Sequence, residues 1–193
     1  MRSGHSQSAS RTNLYGLAGF QYCDLLLDLG AQEDVQERAE KGLEIATKIH
    51  LIRDIALYHL SIGRSYLVGA AINGNLNFTR ANEHLGLAVE ELRRAGQLVD
   101  LPRGLLARAE LRLLIKDLHG AENDLEESLD ICSTSALRLL EAETHLGYTR
   151  LHLADGNSAA SAAYLDRAHT LIEQTGYHRR TRDLADLKAA LAS

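Results

Sequence analysis

The side chains best suited to chemistry cluster in a few places. Glu141, His145 and His152 stand four and seven residues apart, which puts them near one face of a helix, with Tyr148 between the histidines. A carboxylate and two neutral imidazoles are donors for a zinc-class ion or for proton transfer. The histidines, however, lie two turns apart, about 10 Å at 1.5 Å per residue. One ion cannot be reached by both without a donor from another helix. The group therefore reads as a polar helix face, with His145, Tyr148 and His152 as candidate partner contacts.

Arg108, Arg112 and Lys116 recur every four residues and form a basic stripe. Spaced guanidiniums bind carboxylates well, so the stripe could receive an acidic peptide. It could equally be the solvated edge of a buried helix, paired with Glu122 or Glu126. His178-Arg179-Arg180-Thr181-Arg182 is the densest basic run. Nucleic-acid binding calls for a broad basic surface with stacking aromatics, and only Tyr177 is nearby. The run reads instead as the start of a capping helix or an inter-chain contact. Positive charge at a helix start is unfavourable, so acidic neighbours are expected. Cys23 and Cys132 have no CxxC partner and lie on helical core faces, as small packing residues do.

The elements that must position these residues are all helices. Apolar periodicity and stop signals predict helices over 13–29, 35–49, 53–72, 80–95, 102–118, 121–132, 135–154, 158–175 and 182–192. Asp34, Thr79 and Thr181 are the expected N-caps of the second, fourth and last. Gly30, Gly96 and Gly176 are the expected stops, and His119-Gly120 the expected link into the sixth. The second helix of each pair repeats one pattern: small residue, Leu four on, small residue three on. It occurs at Ala81, Leu85, Ala88, at Ala121, Leu125, Ser128 and at Ser161, Leu165, Ala168, 40 residues apart. A weaker copy at Val35, Ala39, Gly42 lies 46 residues before the first of these. Repetition at about 20–50 residues is the signature of stacked supersecondary units, none of which can bury its apolar face alone.

Composition agrees. In 193 residues there is one proline and no tryptophan, and aromatics make up 5%, so the core must be aliphatic and helical. A formal charge of −5 gives no general attraction to nucleic acid or anionic lipid. The first ten residues lack the apolar segment of a signal peptide, and no span of about 18 uninterrupted apolar residues is present. With unpaired cysteines, this points to a cytoplasmic protein with no membrane partner. Residues 1–12 are expected to be a flexible lead-in or expression remnant. Residues 13–192 are expected to form one solenoid domain, with repeats at about 13–50, 53–95, 102–133 and 135–175 and a cap at 181–192.

Ile62-Gly63-Arg64-Ser65-Tyr66 matches the Leu-Gly-x-x-Tyr of a tetratricopeptide first helix. Ala81 to Leu85 and Ala121 to Leu125 match its Ala-x-x-x-Phe, with Leu replacing Phe, and Asp117-Leu118 stands where that family has Asp-Tyr. Over residues 13–175 the chain resembles the tetratricopeptide repeat (TPR) family. It departs in lacking the signature Trp, in spacing (40–46 rather than about 34) and in mostly lacking the closing proline. Longer helices account for the spacing. A HEAT-type array has similar length, but the small-Leu-small second helix favours TPR. The runs from Phe20 to Leu27, Leu60 to Arg64, Leu101 to Ala109 and Gly176 to Arg180 are similar to C-terminal TPR regions of large bacterial proteins that carry a STAND-type signalling NTPase upstream. No GxxxxGK[ST] occurs in this chain.

The resemblance implies a right-handed superhelical α-α solenoid of about four helix pairs plus a C-terminal capping helix. It implies a non-catalytic scaffold without cofactor that holds a protein or peptide on its concave face, as part of a larger bacterial signalling protein. The inner positions of the first repeats are mostly apolar or small (Gly16, Phe20, Ser61, Leu106, Ala107), with Arg64 and Arg103 basic. The Lys-Asn-Arg set with which chaperone-binding members grip a terminal carboxylate is not assembled. The alternative role is self-association as a homodimer, or docking against an upstream NTPase domain. It is suggested by an apolar first helix (Leu14, Leu17, Phe20, Leu25, Leu26) without an N-terminal cap.

Overall fold

The computed structural model describes residues 16–74 and 77–192. The expected lead-in, Leu14 and the first residues of the 13–29 helix lie outside the described residues. Within them the chain forms nine α-helices and no strand: α1 Gly16–Asp28, α2 Gln32–Lys48, α3 Ile52–Asn73, α4 Thr79–Arg94, α5 Leu101–Leu114, α6 Leu118–Thr134, α7 Arg138–Ala154, α8 Ser158–Thr175 and α9 Thr181–Leu191, the last preceded by a 3₁₀ turn, His178–Arg180.

Five of the eight connections between the described helices are three residues long, because one helix ends where the next begins. At Gly30, His50, Lys116, Ala136, Gly156 and Gly176 the backbone turns left-handed. The next residue then donates back to a carbonyl five positions earlier: Ala31 to Leu26 (2.9 Å), Leu51 to Ala46 (3.0 Å), Asp117 to Arg112 (2.8 Å), Leu137 to Cys132 (2.9 Å), Asn157 to His152 (2.8 Å) and Tyr177 to Ile172 (3.1 Å). This is the 6→1 closure of a Schellman motif. The residue that donates is also the N-cap of the following element.

Several expected boundaries move as a result. Asp34 lies inside the first turn of α2, which starts after Ala31. The link between α5 and α6 is residues 115–117, with His119 and Gly120 already helical. Thr79 and Thr181 are first residues of helices rather than caps. Asn77 Oδ1 accepts from the Thr79 N–H at 3.1 Å. Asp117 and Asn157 do cap, accepting from the N–H of Gly120 (2.9 Å) and Ala160 (3.1 Å).

Consecutive helices pack against each other along the chain, and each odd-numbered helix also touches the next odd one: α1 with α3, α3 with α5, α5 with α7, α7 with α9. The small-Leu-small residues supply the contact between the two rows. All of them, in all four copies, are buried. Two leucines press onto glycines where a side chain would have no room. A Cβ on Gly63 would fall 2.7 Å from Leu85, and one on Gly147 would fall 2.5 Å from Leu125. The serines of the pattern are satisfied: Ser128 Oγ lies 2.8 Å from Thr144 Oγ1, and Ser161 Oγ donates to the Thr149 carbonyl at 2.9 Å. α3 is the longest helix and has the length and hydropathy of a membrane span, yet 56% of its most apolar window is buried among α1, α2, α4 and α5.

One polar pair sits in the α3–α4 contact. His59 Nδ1 and His84 Nδ1 are 2.9 Å apart. Burial, and then the neighbouring His84, pull the His59 imidazole down to about 4, and burial lowers His84 as well. The fold therefore prefers both rings neutral.

Two outcomes follow from this packing. Gly147→Ala should destabilise by about 1–3 kcal/mol through overpacking, and the cost should shrink in a Leu125→Ala background. A urea-unfolding double-mutant cycle reads the coupling, and additive effects would mean the two residues do not share a contact. A histidine with a lowered folded value contributes stability present above its unfolded value near 6.5 and lost as pH falls toward 4. From pH 7 to 5 the His59 ring should cost about 1–2 kcal/mol, and His59→Gln should remove that share, leaving what the burial-lowered His84 and His145 add, in a pH series of urea melts.

Candidate functional site

The odd-numbered helices place one stripe each around a shared cavity of about 440 Å³. Residues at i, i+3, i+4 and i+7 share a helix face, and each stripe follows that rule. α1 contributes Asp24, Leu27 and Asp28; α3 contributes Arg64, Leu67, Val68 and Ala71; α5 contributes Arg103, Leu106, Ala107 and Glu110; α7 contributes Glu143, Leu146, Gly147 and Arg150. The C-terminal segment adds Arg179, Arg180 and Asp183. The walls are thus apolar in the middle and charged toward the ends.

Most of these charges are paired. Arg64 Nη1 donates to Asp24. Arg179 donates to Asp24 and, through Nε, to Asp28 at 2.7 Å, which ties the first helix to a residue 155 positions later. Arg180 Nε donates to Glu143 at 3.0 Å and its Nη1 to Asp183 at 3.2 Å. The Tyr177 hydroxyl also donates to Glu143. These are the acidic neighbours the basic run requires. Burial would push the Asp24 carboxyl up, but Arg64 and Arg179 outweigh it and hold it at about 2. Burial and the Glu143 charge raise Tyr177 to about 12. Burial works against the Arg180 charge, yet Glu143 and Asp183 hold it more firmly protonated than usual.

Two charged residues of the wall stand apart. Arg103 Nε is enclosed and makes no hydrogen bond. Its nearest carboxylate, Asp100, is 3.9 Å away and already accepts from Arg53 Nε at 2.8 Å. Its guanidinium lies 5.9 Å from the Phe20 ring centroid, and 40% of its side chain is exposed. Glu110, exposed on the same helix, makes no hydrogen bond or ion pair with any described residue. Arg150 faces Asp183 at 3.8 Å instead.

The sequence-predicted contacts separate into three places. Arg64 and Arg103 line the cavity. Arg108 and Arg112 spend their donors on the α5–α6 contact. Arg108 makes two bonds to Asp124, at 3.0 and 2.6 Å. Arg112 reaches Asp124 at 2.7 Å and the Gly120 carbonyl at 2.7 Å. The acceptor is the buried Asp124, rather than Glu122 or Glu126. Lys116 occupies the left-handed turn that follows α5.

His145, Tyr148 and His152 form a ring cluster on Tyr164 of α8. Tyr148 stacks on it at 4.5 Å, His152 at 5.4 Å, and His145 is tilted at 5.8 Å. His145 and Tyr148 are buried, and His152 Nδ1 meets Asp155 at 3.2 Å. Burial lowers His145, whose Nδ1 has no partner. No group of three His, Cys, Asp or Glu able to hold a metal occurs among the described residues.

Asp24, Glu110, Glu143 and Arg150 are cavity residues that sequence reasoning missed. A signal for them exists. Asp24, Arg64, Arg103 and Glu143 recur at intervals of 40, 39 and 40 residues, the same period as the packing motif on the other row.

The Asp24 pairings make an acid-sensitivity prediction. A carboxyl depressed to about 2 in the fold contributes stability that is complete above its unfolded value near 3.9 and lost as pH falls through 4 toward 2. The contribution is about 2 kcal/mol. Asp24→Asn should lower stability at pH 7 by a similar amount and flatten the acid limb of a pH series of urea melts. An unchanged limb would mean that Asp24 is not held by Arg64 and Arg179.

Comparison of the chain with protein-family models, with curated proteins and with solved structures returns no match.

Proposed function

We propose that the chain is a non-catalytic binding module, a right-handed α-α solenoid of about four TPR-like helix pairs, α1–α2 through α7–α8, capped by α9. In this reading it works in the cytoplasm without a cofactor, as the C-terminal part of a larger bacterial signalling protein, and holds a protein or peptide ligand on the inner face formed by the odd helices. One observation carries the reading: four successive inner helices each turn a stripe of the same make-up toward one cavity. A wall built by repetition, with charge at repeat-equivalent positions and apolar residues between, suits recognition of an extended ligand. The resemblance to the TPR family supports the same view, and the net charge of −5 favours neither nucleic acid nor a membrane surface as partner.

A second reading rests on a different observation. Leu17, Leu25 and Leu29 are 40%, 53% and 72% exposed at the α1 end, where no described helix precedes α1. Open apolar surface at a terminal repeat suits a second copy or an upstream NTPase domain.

Partner capture distinguishes the two. Proteins retained by the wild-type chain and by Lys41→Glu, on an exposed part of α2, should be lost from Arg103→Glu if the inner face is the recognition surface. Identical sets from all three would move the binding surface elsewhere. Loss on Leu25→Lys, with Arg103→Glu unaffected, would favour the α1 end.

A further inference from the structure

We propose that the cavity takes a short peptide with free ends, about three residues long and with apolar side chains, its carboxylate on Arg103 and its ammonium on Glu110. The proposal rests on the reading that the inner face is the recognition surface, and it names what that surface recognises.

Arg103 and Glu110 both line the cavity; Arg103 Nε makes no hydrogen bond and has Asp100 at 3.9 Å as its opposite charge, and Glu110 is exposed and pairs with no described residue. Asp24, Arg64, Glu143, Arg179 and Arg180 are bound to one another across the helices. An enclosed guanidinium nitrogen without a hydrogen bond is a cost that a folded protein normally removes, and a ligand carboxylate removes it here, while the exposed Glu110 keeps its carboxylate free for a cation. Arg103 calls for an anion, and a planar guanidinium matches a carboxylate well. Glu110 calls for a cation on the same ligand. An anion with no positive end would leave Glu110 unanswered and would also meet Asp24 and Glu143.

Geometry sets the size. Arg103 and Glu110 are seven residues apart on one helix, about 10 Å at 1.5 Å per residue. An extended chain covers about 3.3–3.6 Å per residue, so three residues place a free ammonium and a free carboxylate at that separation. Between the two charges the wall is Leu106 and Ala107, with Leu67 and Leu146 on the adjoining helices, a lining for apolar side chains. The volume of about 440 Å³ belongs with small-ligand sites, about 300–1,000 Å³.

Equilibrium dialysis with mass-spectrometric readout tests this on the full chain. The probes are an equimolar set of unblocked tripeptides of Ala, Val, Leu and Phe, their N-acetylated and C-amidated forms, and unblocked decapeptides of the same residues. Unblocked tripeptides should be retained, and each blocking group should weaken retention about tenfold or more. Glu110→Gln should abolish the penalty for acetylation alone, and Arg103→Gln the penalty for amidation alone, with thermal melts confirming that both variants are folded. Equal retention of blocked and free tripeptides, or penalties unchanged in the variants, would overturn the proposal. Retention of decapeptides without tripeptides would overturn it while leaving the inner face as a binding surface. If no peptide of either length is retained, peptide recognition by that face falls with it.

Discussion

The distance between the two rows of helices is set where a leucine meets a residue without a side chain. Leu85 lies on Gly63 and Leu125 on Gly147, each closer than a Cβ at the glycine would permit. Flanking small residues at three and four positions keep the rest of the second helix equally near its neighbours. At α7 the same glycine, Gly147, serves both the Leu125 contact and the cavity wall. The width of the cavity answers to this contact, because Leu125 and Gly147 are part of its lining.

Electrostatics then divides the inner wall. Asp24 and Arg64, 40 residues apart, fall within reach of each other across α1 and α3. Pairing in a half-buried setting favours Arg over Lys, since a planar fork satisfies two acceptors at once. That is how Arg179 serves both Asp24 and Asp28, and how Asp24 serves both Arg64 and Arg179. The pairing saturates at the two ends of the wall and leaves the middle helix, α5, with charges of its own.

The second row was legible in the sequence because its helices have one buried side and one wet one, so that Ala121, Leu125 and Ser128 announce the period directly. Helix starts were less legible. Reading them from Ser, Thr and Asp assumes that a helix needs a polar cap. Here Ala31, Leu51 and Leu137 begin helices by closing the previous one through the backbone. The cavity was half legible: Arg64 and Arg103 stood out against apolar surroundings. Asp24 and Glu143 did not, because a lone carboxylate on a helix is ordinary until its partner on another helix is known. Arg108 and Arg112 looked like a free stripe for the same reason, since the acceptor, Asp124, is buried on the next helix.

The bridge from Arg179 to Asp24 also has a kinetic side. Nearly every other contact joins a helix to the next one or the next but one, so hairpins can form from local segments with little loop entropy to overcome. The bridge instead closes a loop of 155 residues, and closure cost rises with loop length. It comes within reach only when the helices between are assembled, so it depends on the whole array rather than on any one hairpin.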